Sequence, residues 1–241
     1  MKITVIGSSH GVPEPNRKCA CILLELGERV YFIDMGANAV EALRTRGIPV
    51  ESVRAVFITH MHGDHTNGLI PFVDLLHWYF TKADPEIFLP NIRAAEVIGE
   101  WLVAAQNECK REMRYRQTAP GLLFDDGALR VTAVSTQHCA NSYAYLIEAE
   151  GRRVLFTGDL KRPGVDFPAC ALEKPLDLLV CESAHFPATE YLPVLENARV
   201  EQVCFTHYSD TFLPSVLQTI ASLQERGVRA SRALDGTELR L

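Results

Sequence analysis

Apolar and polar positions along the chain fall into two rhythms. Residues 3–6 form a short apolar run that stops at Gly7-Ser8-Ser9-His10-Gly11. Residues 19–26 and 29–34 form two more runs around Gly27-Glu28, which predicts a hairpin. Residues 37–45 switch to a helical spacing and stop at Gly47. Residues 53–58 are a compact apolar run of the kind that makes a buried strand, and they lead straight into Thr59-His60-Met61-His62-Gly63-Asp64-His65. Beyond it the pattern predicts a helix near 66–80, a strand at 86–89 and a long helical region at 92–116. Strands follow at 129–135, 142–149, 152–157, 176–181 and 202–206, with a last helix at 212–226 before Gly227. Two strand-rich halves with helices between them predict an α/β architecture of two stacked sheets covered by helices outside. No linker composition separates the halves, so one domain over 1–241 is expected, with 92–116 as a helical insertion.

Composition narrows this picture. With 241 residues the chain can bury a sizeable core without cross-links. Its formal charge of −6 does not supply the basic face from which nucleic-acid binders draw much of their affinity. The seven cysteines are odd in number and mostly in apolar surroundings, which fits reduced thiols and a cytoplasmic setting. Cys19 and Cys21 would share one side of a strand, but no second pair completes a four-ligand clip. The Met-Lys-Ile-Thr-Val-Ile-Gly opening fits a first strand better than a secretory signal, and no apolar run is long enough for a membrane span.

The chemistry sits in residues 59–65. Three histidines and an aspartate directly after a buried strand can point into one cleft, with Gly63 expected to permit the bend. Neutral imidazole and carboxylate are natural ligands for zinc and similar ions. Scattered surface histidines do not cluster behind an apolar strand in this way.

His60-Met61-His62-Gly63-Asp64-His65 resembles the H-x-H-x-D-H signature of the metallo-β-lactamase superfamily. Later positions agree in order: His138 comes 73 residues after His65, Asp159 a further 21, and His207 a further 48, each near a predicted strand end. Phe32-Ile33-Asp34-Met35-Gly36 resembles the early strand that ends in an aspartate, so the likeness spans nearly the whole chain. It implies the αββα sandwich of that fold and two divalent metal ions, zinc by default, with manganese or iron also suited to such ligands. His60, His62 and His138 would hold one ion, and Asp64, His65 and His207 the other. Asp159 would bridge them with a shared water or hydroxide. Members with a di-iron redox centre carry Glu at the position of His62, so the histidine favours hydrolysis. Asp64 is placed to orient the water or take its proton, and Asp34 to hold a ligating histidine from behind.

The remaining histidines leave alternatives open. His185, after another strand end, is either a proton donor to the leaving group or an exposed loop residue. His10 lines the substrate mouth or only a turn, and His77 reads as a packing or capping residue. Within the superfamily, Ile6-Gly7-Ser8-Ser9, Asn16-Arg17, Gly68-Leu69, the segment from Leu178 to Ala184 and Thr206-His207-Tyr208-Ser209 are similar to the ribonuclease Z-like phosphodiesterase branch. The Gly- and basic-rich arm that grips tRNA is absent from the pattern, as is a His-Ser-Thr motif between Glu182 and His207. A small phosphodiester, either a cyclic nucleotide or a cyclic ribose phosphate, is therefore the expected substrate. A lactonase or thioesterase, an armless tRNA 3′-processing endonuclease and a non-catalytic metal-binding protein are the alternatives. Lys110, Arg111, Arg114 and Arg116 in the 92–116 region could form a phosphate-binding lid, a homodimer surface or a solvated basic face.

Overall fold

The computed structural model describes residues 1–109 and 111–241. Its first sheet is built from β1 (Lys2–Gly7), β2 (Cys21–Leu26), β3 (Arg29–Met35), β4 (Val53–Phe57), β5 (Glu86–Leu89) and β6 (Arg114–Gln117), in that order, with the last strand of the chain, β14 (Glu238–Arg240), added beside β1. The second contains β7 (Gly121–Asp125), β8 (Arg130–Ser135), β9 (Tyr143–Ala149), β10 (Arg152–Phe156), β11 (Leu178–Ser183), β12 (Gln202–Tyr208) and β13 (Arg229–Arg232), again in chain order. Each sheet starts with antiparallel hairpin strands and continues with parallel ones: β3 to β6 in the first, β10 to β13 in the second. Between the parallel strands run α1 (Ala39–Thr45), α2 (Gly63–Thr66), α3 (Leu69–Trp78) and α4 (Arg93–Ala104) in the first half. The second half has α5 (Pro163–Asp166), α6 (Cys170–Glu173), α7 (Leu192–Leu195) and α8 (Leu213–Glu225).

The sequence makes four layers for a simple reason. A parallel strand covered on both faces must be apolar at nearly every position. In β4, Ala55 and Phe57 enter the core between the sheets, while Val53 and Val56 face α1, α3 and α4. The inter-sheet core gathers Tyr31, Phe57, Tyr145 and Phe156, and Phe57 stacks on Phe88 with ring centroids 5.1 Å apart. A third cluster, with Tyr191, Phe205, Val216 and Leu223, seals the other sheet against α7 and α8. Local signals agree with these elements: the Asn38 side chain accepts from the Glu41 amide to cap α1, and Gly227, at φ 79°, ends α8.

The expected αββα sandwich is therefore the observed fold. The 92–116 region differs from its expected helix. Helix α4 ends at Ala104, Gln106 and Cys109 take left-handed backbone angles, and Arg114–Gln117 pairs in parallel with β5. Tertiary pairing with Glu86–Leu89 overrides the helical composition there. Arg114 and Arg116 pair with Glu86, and Arg111 donates to the carbonyls of Thr81 and Ala83, so these cations are tied into the fold. Lys110 lies outside the described residues. No helix among the described residues is long and apolar enough to cross a membrane.

Candidate metal centre

The parallel strands of both sheets end at the same rim, and the loops leaving that rim carry the histidines and carboxylates singled out above. Such strand ends are where open α/β sheets build their sites. From β4 the chain passes through Thr59 and His60 to His62, which precedes α2 in an extended conformation. His138 follows β8, Asp159 follows β10, His185 follows β11, and His207 is the last residue but one of β12.

All seven expected ligands converge. His60, His62 and His138 form one group whose ligand atoms lie within 4.8 Å of one another, and Asp64, His65 and His207 form a second. Asp159 sits between them: its Oδ2 is 3.6 Å from the Nε2 atoms of both His60 and His138, and its Oδ1 is 3.5 Å from His207 Nε2. His60 Nε2 and His62 Nδ1 lie 2.9 Å apart, and His138 Nε2 is 3.2 Å from the same Nδ1. His60, His65, Asp159 and His207 are buried, whereas His62, His138 and His185 face the opening. The cluster therefore has a closed floor and one accessible side.

The donor set fits cations. His65 Nε2 and Asp159 Oδ1 are buried without a hydrogen-bond partner among the described residues, and such orphaned atoms are rare unless something else satisfies them. Burial pushes His60 down to about 2, so its imidazole is neutral and its lone pair is free. Burial works to raise the carboxyls of Asp64 and Asp159. The neighbouring imidazoles, His65 and His207, overcome it and hold both below the ordinary carboxylate range. Neutral imidazole beside ionised carboxylate is the ligand chemistry of zinc and related ions. Among the described residues no cysteine joins a ligand group, and Cys21 is buried with its thiol pushed up to about 12 by desolvation.

Behind the ligands, Asp34 accepts from the Thr59 amide (2.7 Å), the Thr59 hydroxyl and His65 Nδ1 (2.7 Å). This leaves His65 Nε2 for the cluster. His207 Nδ1 is likewise 2.9 Å from the Ser9 carbonyl, and Arg17 donates to the Tyr208 carbonyl while lying over the Tyr208 ring. Asp34 and His207 both have positive φ, 58° and 47°, the kind of backbone strain that collects at sites held in place by their surroundings. Gly63 does not make the expected bend, since it is simply the first residue of α2. The close approach is at Gly36 instead, where a Cβ would lie 1.7 Å from the Asp64 carbonyl oxygen.

His185 belongs to this rim. Its Nε2 is 3.8 Å from Asp159 Oδ2, and its Nδ1 is 2.9 Å from the buried Glu182 carboxylate. Burial lowers His185, but the hydrogen bond and charge of Glu182, helped by Asp159, hold it up at about 9. Glu182 is itself pushed up by burial and by Asp159, so the pair keeps a proton through neutral pH. Sequence reading passed over Glu182 as a motif letter, though a carboxylate at the end of an apolar strand was the available signal. The other two histidines are in neither ligand group. His10 is a turn residue 3.3 Å from Glu14, and His77 packs in the core side of α3.

The fold and this side-chain set define a metallo-β-lactamase-fold protein. A family model described as anti-Pycsar protein Apyc1 matches residues 1–221, and the chain belongs to that family. It is similar to ribonuclease Z of Microcystis aeruginosa, 28% identical over 158 residues that cover 63% of this chain and 48% of that one. Against ribonuclease Z of Listeria monocytogenes the identity is 28% over 170 residues, 69% of this chain and 55% of that one. The chain thus spans about half the length of the ribonuclease Z relatives it matches. Among solved structures, the short form of human tRNase Z superposes with a TM-score of 0.80 at 19% identity, over 100% of this chain and 99% of that one. A diphosphatase from the PhnP family superposes with a TM-score of 0.72 at 20% identity, over 100% and 97%.

Proposed function

We propose that the protein is a dinuclear metal-dependent hydrolase that cleaves a small cyclic phosphodiester, a cyclic nucleotide or a cyclic ribose phosphate. The observation that carries this reading is the Glu182–His185 pair set beside a complete seven-residue ligand cluster. Two divalent ions held by His60, His62, His138, Asp64, His65, His207 and a shared Asp159 would lower the pKa of a water between them and offset charge growing on the phosphoryl oxygens. Asp64, open to the rim, orients the attacking water and accepts its proton. As the water oxygen bonds to phosphorus, the phosphorus–oxygen bond to the ribose breaks. His185 Nε2 gives its proton to that departing oxygen, Glu182 steadies the imidazolium beforehand, and solvent restores the proton afterwards. A ribose oxygen leaves poorly as an alkoxide, so a positioned acid counts for most with such a substrate.

Two further features favour a small substrate over tRNA. The formal charge is −6. Arg114 and Arg116 pair with Glu86 and Arg111 is held by backbone carbonyls, so part of the basic charge in this stretch is already offset. The family match and the ribonuclease Z relatives favour phosphorus over carboxyl chemistry.

A panel of cyclic nucleotides, a cyclic ribose phosphate, bis-p-nitrophenyl phosphate, a lactone, a thioester and a tRNA precursor tests this reading. Turnover is expected on the cyclic phosphodiesters and lost in His60→Ala and Asp159→Ala. His185→Ala should lower kcat by about 10²–10⁴-fold on cyclic nucleotides, and far less where p-nitrophenolate leaves unaided. Preferred cleavage of the lactone, the thioester or the tRNA precursor would sink the proposal, as would equal losses for both leaving groups in His185→Ala.

A further inference from the structure

Asp166 closes the single turn α5, in the stretch that follows Asp159. Its carboxylate accepts three backbone N–H groups: Oδ2 from Gln137 at 2.7 Å and from Lys161 at 3.0 Å, and Oδ1 from Arg162 at 3.1 Å. The Lys161 and Arg162 bonds alone would only close the turn that leads into α5, as a side chain reaching back to the start of a helix does. The bond to Gln137 is different, because Gln137 precedes His138 and belongs to the loop after β8. Strands β8 and β10 are not neighbours, since β9 lies between them. Among the described residues, this is the one hydrogen bond joining residues 136–142 to residues 157–166.

We propose that Asp166 is a positioning residue that sets the His138 imidazole against the Asp159 carboxylate, 3.6 Å apart from Nε2 to Oδ2, and so shapes the place where the first ion meets the bridging ligand. This rests on the metal reading above. The chemistry of the position is specific. All three partners are donors, so the position requires an acceptor, and one oxygen, Oδ2, serves the Gln137 loop and Lys161 together. An asparagine can keep its oxygen at that place and turn its NH₂ only on the Arg162 N–H, so the bond between the loops is removed by alanine, which has no acceptor. In Asp166→Ala the loop carrying His138 would be free to drift from the loop carrying Asp159, and ligand geometry tolerates little of that.

The test is zinc titration of metal-stripped wild type, Asp166→Ala and Asp166→Glu, read by competition with a chromophoric chelator and by elemental analysis. Asp177→Ala is the control. Asp177 accepts from the Arg153 amide and pairs with Arg152 at the opposite end of β11, so it has similar bonding chemistry far from the cluster. Wild type should take up two ions. Asp166→Ala should bind at least one of them about tenfold more weakly, regain turnover as zinc is raised, and melt, metal-free, no lower than Asp177→Ala. Zinc affinities within twofold of wild type in Asp166→Ala would reduce Asp166 to a residue that closes a turn and overturn the proposal. If Asp166→Ala does not fold, Asp166→Glu is judged by the same ratio, since it keeps the charge but displaces the oxygens. A wild type that binds two ions yet cleaves no phosphodiester would refute the proposed function instead, leaving this affinity ratio readable.

Discussion

At the scale of single residues, the site depends on which nitrogen of each imidazole is left free. Asp34 decides this for His65. The carboxylate is 5% exposed and accepts from Nδ1, so the lone pair falls on Nε2, the atom that faces Asp64 and Asp159. In Asp34→Asn the oxygen can still serve the Thr59 amide, but the NH₂ then meets His65 Nδ1, which can pair with it only by giving up its proton. That moves the proton to Nε2 and blocks the cluster. Asp34→Asn should therefore lose about 10- to 100-fold in zinc affinity, with Asp34→Glu losing affinity through displacement instead. Isothermal titration of the stripped proteins measures it, and an unchanged affinity in Asp34→Asn would show that another group sets the tautomer. The seven residues that converge were legible in the sequence, because H-x-H-x-D-H and three strand-end residues keep their meaning without coordinates. Glu182 and Asp166 were not. Each acts through a partner brought near by folding, His185 in one case and the Gln137 amide in the other, and no local spacing marks such a partner.

At the scale of elements, the cluster needs loops that approach one another more closely than side chains allow. The turn after β3 passes under α2, and Gly36 is the point of contact. A Cβ there would lie 1.7 Å from the Asp64 carbonyl oxygen and 2.8 Å from that of Ala20, both backbone atoms that cannot swing aside. Gly36→Ala should cost about 1–3 kcal/mol of stability and, by shifting Asp64, reduce zinc binding as well. Gly99 is the counterpart. It lies inside α4 with nothing within 4 Å of an added Cβ, so Gly99→Ala should raise stability by about 0.5–1 kcal/mol. Thermal melts of the two variants should move in opposite directions, and a common direction would contradict this reading of the contacts. The elements also explain where sequence reading stopped. Apolar runs in central strands such as β4 and β11 were plain because both faces are buried. Strands β6, β7, β13 and β14 escaped because they are short strands at the sheet edges, with charged and exposed residues. The long helix expected over 92–116 came from the local pattern, and pairing of Arg114–Gln117 with β5 outweighed it.

At the scale of the whole molecule, the seven proposed ligands come from both sheets. His60, His62, Asp64 and His65 follow β4 of the first, while His138, Asp159 and His207 belong to the second. An ion held by His60, His62 and His138 therefore links the two halves, as does one held by Asp64, His65 and His207. The native state binds such ions far better than an unfolded chain that scatters the ligands, so they stabilise by mass action. At free zinc of a hundred times Kd, each site contributes about 2.7 kcal/mol. For a chain of 241 residues, each kcal/mol raises Tm by roughly 2–4 °C, so two filled sites should lift Tm by about 10–20 °C over stripped protein. The same calculation separates the sites. His62→Ala disables one group and His207→Ala the other, so each variant should retain about half of the rise, whereas Asp159→Ala, touching both, should lose most of it. Calorimetry of the four proteins with and without zinc measures this. A full rise in Asp159→Ala would mean that the two sites do not share a carboxylate, and the link between the sheets would then rest on the histidines alone.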